Sequence, residues 1–568
     1  MNRKLLFVIF VITIAFSQTT FSQPLNHRPS LVIQSEKVRN LDTGINYTTI
    51  QEAINAPETD EGHTIFVEEG IYYENVIVNK SISVLGEDKS VTVVDGNGTG
   101  TAITITHNNV TITGFMIQRS GSSLSDCGVY LDHASNCNIS GNNIADNYNG
   151  VYLYGSSDNI VSRNNVTGND YDGISLQHSS KNDISGNNMA DNYNGVYFYE
   201  SSDNTISRNN ITENKLNGVY LSASSGNIVS RNNIIRNTYD GICIQYSSKN
   251  GISKNDMANN LNGVYFYESS DNTISQNNMA NSVNGVYLYG SSDNIVSRNN
   301  ITGNTYDGIY FFRYSDCNMI FENNIANNLN GIYPYRSSHN TIFHNNFINN
   351  TNQVLLRPGD ANAWDDGVPS GGNYWSNYTG DDLDHDGIGD SWHEIDENNI
   401  DHYPLMGMFS SFNTSYGCAV DFVSNSSISG FSFNLSPIEV YPPEAILAFD
   451  VSGETGTEGF LRVCIPKVLI NGSYVIMFDY VIITTTTWPQ VRELPCSSET
   501  YEYLYINYTH SEHAIIITGT TTIPEFPLFL ILPLFMIATL LAAIIHRKRL
   551  LYDNNQTRDS AEANSVCH

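Results

Sequence analysis

Alternate carboxylates at Asp382, Asp384 and Asp386, followed by Gly387, Ile388 and Asp390, form the sharpest chemical signal in the chain. Hard oxygen donors on alternate residues, a glycine at the sharp turn and a backbone carbonyl from Ile388 reproduce the first nine positions of a calcium loop. The run departs from that loop at its end, where His393 takes the twelfth place and Glu394 follows. A solvated acidic turn is the alternative. The expected cofactor is a structural Ca2+ ion held by Asp382, Asp384, Asp386, Ile388 and Asp390, which would let mutually repelling carboxylates fold together.

Tyrosines supply the second signal. Two residues after a recurring glycine stand Tyr130, Tyr152, Tyr197, Tyr220, Tyr265, Tyr287, Tyr310 and Tyr333. Two residues further on stand Tyr154, Tyr199, Tyr267, Tyr289 and Tyr335. A flat apolar ring with a polar tip suits the faces and hydroxyls of sugars, so these residues form a candidate glycan-binding face. Stacked aromatic neighbours also stabilise a sheet with no ligand, and both readings stay open.

Cleavage of a glycoside needs paired carboxylates, and lyase or esterase work needs carboxylates beside Lys or Arg. Asp126, Asp172, Asp240 and Asp307 recur at turns, as Arg163, Arg208, Arg231 and Arg298 do at strand ends, but as copies rather than as unlike residues converging. No unique catalytic constellation stands out, and the reading leans away from an enzyme. His107, His133, His178, His339 and His344 are scattered, without the Met/His cluster that copper would favour.

The elements that must carry these residues follow from a repeat. Glycine followed by Val or Ile recurs at Gly128, Gly150, Gly173, Gly195, Gly218, Gly241, Gly263, Gly285, Gly308 and Gly331. So short a period cannot hold two helices, and each unit alternates apolar and polar residues, so each is one coil of short strands. Strands stacked coil on coil at ~4.8 Å align equivalent residues into columns. Val151 and Leu153 are expected inside, with a further inward column through Ile160, Ile184, Ile206, Ile228, Ile252, Ile274 and Ile295. The glycine is expected to mark a turn. Asn159, Asn182, Asn204, Asn227, Asn250, Asn272 and Asn294 are expected at corners, each amide bonding to the one in the next coil. Gly150, Gly218 and Gly285 head near-copies, so three coils were duplicated as a block.

Ile50, Ala53 and Ile54 lie at helical spacing and predict a short amphipathic cap on the first coil. The Ile50-Gln-Glu-Ala-Ile start, Gly70-Ile-Tyr-Tyr-Glu-Asn and the Gly-Val/Ile-x-Leu coils with Ser-Ser-x-Asn resemble the NosD-type family of carbohydrate-binding and sugar-hydrolase (CASH) β-helices, over roughly residues 40 to 355. That resemblance implies a right-handed parallel β-helix and, loosely, a carbohydrate partner; the family includes pectin-modifying enzymes, copper-maturation factors and archaeal surface proteins.

The expected class is therefore all-β: a right-handed parallel β-helix, then a small β-sandwich and one C-terminal transmembrane helix. Residues 1–22 read as a signal peptide, 31–357 as the β-helix with its cap and 358–407 as the Asp/Gly-rich calcium-loop segment. Residues 408–519 read as a sandwich-like stalk and 520–526 as a linker. The apolar run 527–545 is long enough as a helix to cross a bilayer core of about 30 Å, and basic His546-Arg547-Lys548-Arg549 keeps the tail 546–568 in the cytoplasm. That places the body on the cell surface of a single-pass membrane protein. A net charge of -31 disfavours nucleic acid. In the stalk every asparagine, namely Asn413, Asn425, Asn434, Asn471 and Asn507, lies in an Asn-x-Ser/Thr sequon, so glycosylation is expected there. Cys127, Cys137, Cys243 and Cys317 are expected to pack as small apolar groups, while one disulfide is plausible among Cys418, Cys464 and Cys496. The function expected is a membrane-anchored surface protein binding polysaccharide or glycan; a polysaccharide lyase, hydrolase or esterase and a purely structural envelope component are the alternatives.

Overall fold

A computed structural model describes residues 36–520, apart from 124, 358, 436–443 and 487. The expected signal peptide, nearly all of the linker, the membrane span and the tail lie outside the described residues. Among those described, no helix is long and apolar enough to cross a membrane.

The body is a parallel β-helix whose strands stack into three sheets of 15, 14 and 13 strands, here sheets A, B and C. One coil runs through Ile160–Ser162 in sheet A, Asn165–Thr167 in sheet B and Ile174–Gln177 in sheet C. Apart from the antiparallel first strand Val38–Asn40, strands pair in parallel with the equivalent strand of the next coil, as Val151 does with Ile174 and Leu153 with Leu176. The helix Ile50–Asn55 covers the first coil with Ile50, Ala53 and Ile54 buried, and Thr49 caps it by accepting from the Glu52 amide.

Corner chemistry sets the register. Asn159 Nδ2 donates to Asn182 Oδ1 at 3.0 Å, and Asn182 Nδ2 donates to Asn204 Oδ1 at 3.0 Å. A second ladder runs through Asn164, Asn187 and Asn209, and a third through Asn169, Asn192 and Asn214. A serine ladder through Ser156, Ser179 and Ser201 shares the corner of the first asparagine ladder, between sheets C and A. The left-handed residue is not the asparagine but the one before it: Asp158, Lys181 and Asp203 in the first ladder, Arg163 and Arg208 in the second. The asparagine is spent instead on satisfying buried amides and carbonyls, which would otherwise be left without partners inside the corner.

Two expectations about the coil are corrected. The repeat glycine lies inside the strand at Gly128, Gly150, Gly263, Gly285, Gly308 and Gly331, and at a bend just before it at Gly173, Gly195, Gly218 and Gly241. A Cβ on Gly218 would sit 2.5 Å from Ile234 Cγ2 and 2.6 Å from the carbonyl of Gly241, so close approach of successive coils requires it. Nor is the sheet A column wholly inward as read: Ile184, Ile206, Ile252 and Ile274 are buried, but Ile160, Ile228 and Ile295 are 45%, 50% and 37% exposed. The ladder asparagine fixes the second residue after it as the inward one, so Val161, Val229 and Val296 take the core positions in those coils. Cys127, Cys137 and Cys243 are buried, whereas Cys317 is exposed because it occupies a left-handed turn position at φ 57°.

Below the last regular coil, Trp364 and Trp375 enter the same core, and Phe347 stacks on Trp375 at 4.3 Å. The second ladder ends where Asn373 donates its backbone amide to Asp401 Oδ2 at 2.8 Å, which also accepts from Trp375 Nε1 at 2.8 Å. Beyond it, two five-stranded antiparallel sheets share one core containing Val420, Phe422 and Val463 from one and Leu447, Phe449 and Ile515 from the other.

Candidate functional site

Sheet C carries the tyrosines on its outer face. In each strand the burial pattern sends Val151 and Leu153 inward and turns Tyr152 and Tyr154 outward. Register then aligns Tyr130, Tyr152, Ser175, Tyr197, Tyr220, Cys243, Tyr265, Tyr287, Tyr310 and Tyr333 in one column. The adjacent column holds Asp132, Tyr154, Gln177, Tyr199, Ser222, Gln245, Tyr267, Tyr289, Phe312 and Tyr335. The expected residues are thus brought together on one face.

Ring geometry differs along the face. Tyr130 and Tyr152 stack with centroids 5.3 Å apart, Tyr287 and Tyr310 at 4.7 Å, and Tyr310 and Tyr333 at 5.0 Å. Ser175 and Cys243 interrupt the column in the first two blocks, whereas Tyr310 keeps it continuous in the third. A third aromatic row, not anticipated from the sequence, flanks it: Tyr148 stacks on Tyr171 at 5.6 Å and Tyr171 on Tyr193 at 5.1 Å. Its signal was present, a tyrosine two residues before the repeat glycine in Tyr148-Asn-Gly150 and Tyr171-Asp-Gly173. Partial burial among other rings pushes the phenols of Tyr130, Tyr197 and Tyr287 up to about 12, so they remain protonated hydrogen-bond donors at any physiological pH.

Beneath the rings lies a row of amides interrupted by acids. Asp172 Oδ1 accepts from Asn194 Nδ2 at 2.8 Å, Asp240 Oδ1 from Asn262 Nδ2 at 2.7 Å and Asp307 Oδ1 from Asn330 Nδ2 at 2.7 Å. The second oxygen of Asp172 is buried without a hydrogen-bond partner. Burial raises Asp172 to about 7 and Asp240 to about 6. Three coils separate the two acids, roughly 14 Å at the strand spacing. That exceeds the roughly 5–9.5 Å between the two carboxyl groups of a glycosidase.

The acidic loop lies at the other end, between the solenoid and the antiparallel sheets. Carboxylate oxygens of Asp382, Asp384 and Asp390 lie within 4.8 Å of one another. Asp382 accepts from the amides of Asp386 and Gly387, both at 2.9 Å, and Asp390 accepts from that of Leu383 at 2.6 Å. Asp386 is turned onto the Ile388 amide at 2.7 Å and does not join the group of three. Partial burial raises both Asp382 and Asp386, opposed chiefly by the amides they accept from. His393, in the twelfth place, packs against Trp375 with ring centres 4.6 Å apart. Arg492 donates to the carbonyls of Asp384 and His385, bracing the loop from the antiparallel sheets.

Of the sequon asparagines, Asn413, Asn425, Asn434 and Asn471 are exposed and Asn507 is half-buried. Asn425 holds the Phe460 amide and the Glu458 carbonyl, both at 3.0 Å.

The family model described as periplasmic copper-binding protein (NosD) matches residues 54–240 and 217–380. A cell surface glycoprotein of Methanothermus fervidus is 37% identical over 108 residues. That match spans 19% of this chain and only 17% of the relative. Among solved structures, the A-module of Azotobacter vinelandii mannuronan C-5 epimerase AlgE4 is 16% identical, with 55% of this chain and 94% of that one covered and a TM-score of 0.39. A catalytic domain of GH87 α-1,3-glucanase in complex with tetrasaccharides is 14% identical, with coverage of 63% and 71% and a TM-score of 0.41.

The copper in the family description can be tested against the side chains. Among the described residues, the group of His, Cys, Asp and Glu close enough to share an ion consists of three aspartates. Oxygen donors of this kind suit calcium or magnesium, whereas copper favours imidazole and sulfur, so the residues present do not fit copper. The residues the family model matches are nonetheless those that build the coils. Since that model runs across residues 54 to 380 of the 568, this protein belongs to the NosD family of parallel β-helix proteins.

Proposed function

We propose that this is a cell-surface β-helix protein whose sheet C face binds an extended glycan chain. The observation that carries the reading is the continuous outer column from Tyr265 to Tyr333, four phenolic rings in successive coils with centroids 4.7 to 5.0 Å apart. That interval is about the length of one pyranose residue, so a chain laid along the solenoid axis meets one ring per coil. Protonated phenol hydroxyls at the rim supply donors for sugar hydroxyls. The surface location draws support from the name of the Methanothermus relative and from the leader and apolar span read in the sequence.

Calcium at Asp382, Asp384 and Asp390 would tie together the lower end of the solenoid, where the segment 358–407 closes its core. The carboxylate cluster and the loop spacing support this second part of the reading. Glycans on the sequons of the antiparallel sheets would shield the region nearest the membrane.

The test is a glycan array probed with the full chain in detergent, run beside a reducing-sugar release assay. Binding without product is the expected result. Turnover of a bound polysaccharide would replace the binding reading with an enzymatic one, and silence in both assays would leave an architectural role.

A further inference from the structure

The last coils of sheet C carry a feature that the tyrosine face alone does not require. Arg313 directly follows the strand Asp307–Phe312 and Arg336 the strand Asn330–Tyr335, while Arg357 lies three residues beyond Asn352–Val354, so three guanidinium groups emerge near the ends of successive sheet C strands. All three are exposed. Arg313 lies over the ring of Phe312 at 4.9 Å, while Arg336 and Arg357 lie over Tyr335 at 5.4 and 5.2 Å. Arg357 Nε donates to the hydroxyl of Tyr333 at 2.8 Å, and Arg313 Nη1 to that of Tyr289 at 3.4 Å.

Among the described residues none of the three is in a salt bridge, whereas Arg119, Arg236 and Arg298, on other faces of the same solenoid, pair with Asp95, Glu213 and Glu322. Asp316 and Asp360 are nearby carboxylates: Asp316 accepts from the Ser338 amide at 2.7 Å, and Asp360 accepts from the Arg336 backbone amide at 2.9 Å and feels the Arg336 charge without forming an ion pair with it. In a chain with 58 acidic and 27 basic side chains, three neighbouring arginines with no ion pair among the described residues stand apart. Ring faces hold the guanidinium groups, and the donors not taken up by the hydroxyls of Tyr333 and Tyr289 belong to exposed side chains, a chemistry suited to a carboxylate or sulfate group.

We propose that Arg313, Arg336 and Arg357 form an anion-binding subsite on the glycan face, so that the preferred ligand is an acidic polysaccharide bearing carboxylate or sulfate groups. This rests on the glycan-binding reading of sheet C and sharpens it. The general negative charge of the protein does not oppose it, because screening over ~8 Å in physiological salt lets the local arginines govern contact.

Binding of the full chain in detergent is measured by calorimetry to three probes: polygalacturonate, its methyl ester, and dextran sulfate. At least one charged polymer is expected to bind tenfold or more tightly than the ester, with affinity falling as salt rises. Polygalacturonate ahead of dextran sulfate assigns carboxylate, and the reverse assigns sulfate. The Arg313→Gln, Arg336→Gln, Arg357→Gln triple variant is expected to lose that preference, and the triple Lys variant to retain part of it. Arg336→Gln alone, with circular dichroism as the folding check, reads the same loss should the triple variant fail to fold. Equal affinity for the ester and the charged polymers, or an undiminished preference in the folded Gln variants, would overturn the acidic ligand while leaving the tyrosine face standing. No binding to any of the three would overturn both.

Discussion

Tyr310 stacks on Tyr333 with ring centroids 5.0 Å apart and planes 13° from parallel, although 23 residues of chain separate them. The pairing is enforced from below. Ile309 pairs with Ile332 in the parallel register, and both are fully buried, so the phenols above them have no freedom to slip. A solenoid converts a repeated tyrosine into a ruled surface, and the consequences can be tested part by part.

The asparagine ladders predict a steep cost for one amide. Asn209 Nδ2 donates to Asn232 Oδ1 at 3.0 Å and to the Ile184 carbonyl at 2.8 Å, while its own oxygen accepts from Asn187. Asn209→Ala leaves several buried groups unpaired and is expected to cost about 2 kcal/mol or more in urea unfolding. A change under about 0.5 kcal/mol would mean the ladder is ornamental.

The repeat glycine gives a contrasting case. Gly218→Ala adds a methyl against Ile234 and the Gly241 carbonyl and should destabilise by about 1–3 kcal/mol through overpacking. Gly456, at φ 88° with open space around it, should lose stability through backbone strain alone when replaced by Ala, with no repacking of neighbours.

How far this was legible depends on what each residue was used for. Val151 and Leu153 could be placed because alternation and the repeat agree there, and the cap helix followed from Ile50, Ala53 and Ile54. Ile160 misled because the Ile-Val pair after Asn159 offers two apolar candidates, and only the ladder decides between them. Asp401 could not be recognised, since its partners Asn373 and Trp375 are joined to it by folding and not by spacing. The arginine cluster was hidden for the same reason: its members are more than 20 residues apart and meet only because coils stack.

Buried acids make stability depend on pH in an unusual direction. Asp172 rises to about 7 and Asp401 to about 7, above their unfolded values, so the folded chain holds more protons than the unfolded one between about pH 4 and 7. Their contribution is complete below about pH 4 and is lost as pH rises through about 7. Asp172→Asn, which installs the residue found at Asn194 and Asn217 in the same row, is expected to match the parent at pH 4 and exceed it by on the order of 1–3 kcal/mol at pH 8. Chemical denaturation at the two pH values checks this, and a variant less stable at pH 8 would contradict it.

Calcium, if held by Asp382, Asp384 and Asp390, must stabilise the fold by linkage. At one hundred times its dissociation constant the gain is about 2.7 kcal/mol. EDTA should lower the melting temperature and excess Ca2+ should restore it, and Asp384→Ala with Asp390→Ala should abolish both responses. A melting curve indifferent to chelation would remove the ion from the account.

The glycan face itself is tested most directly by the array signal of a Tyr287→Ser, Tyr310→Ser variant against that of the parent. Serine occupies the equivalent position at Ser175, so the sheet should tolerate it. Loss of about 1–3 kcal/mol of binding per removed ring, a tenfold or greater fall in affinity with the melting temperature little changed, is the predicted result. The same glycans bound with the same affinity by parent and variant would contradict the assignment of binding to this face.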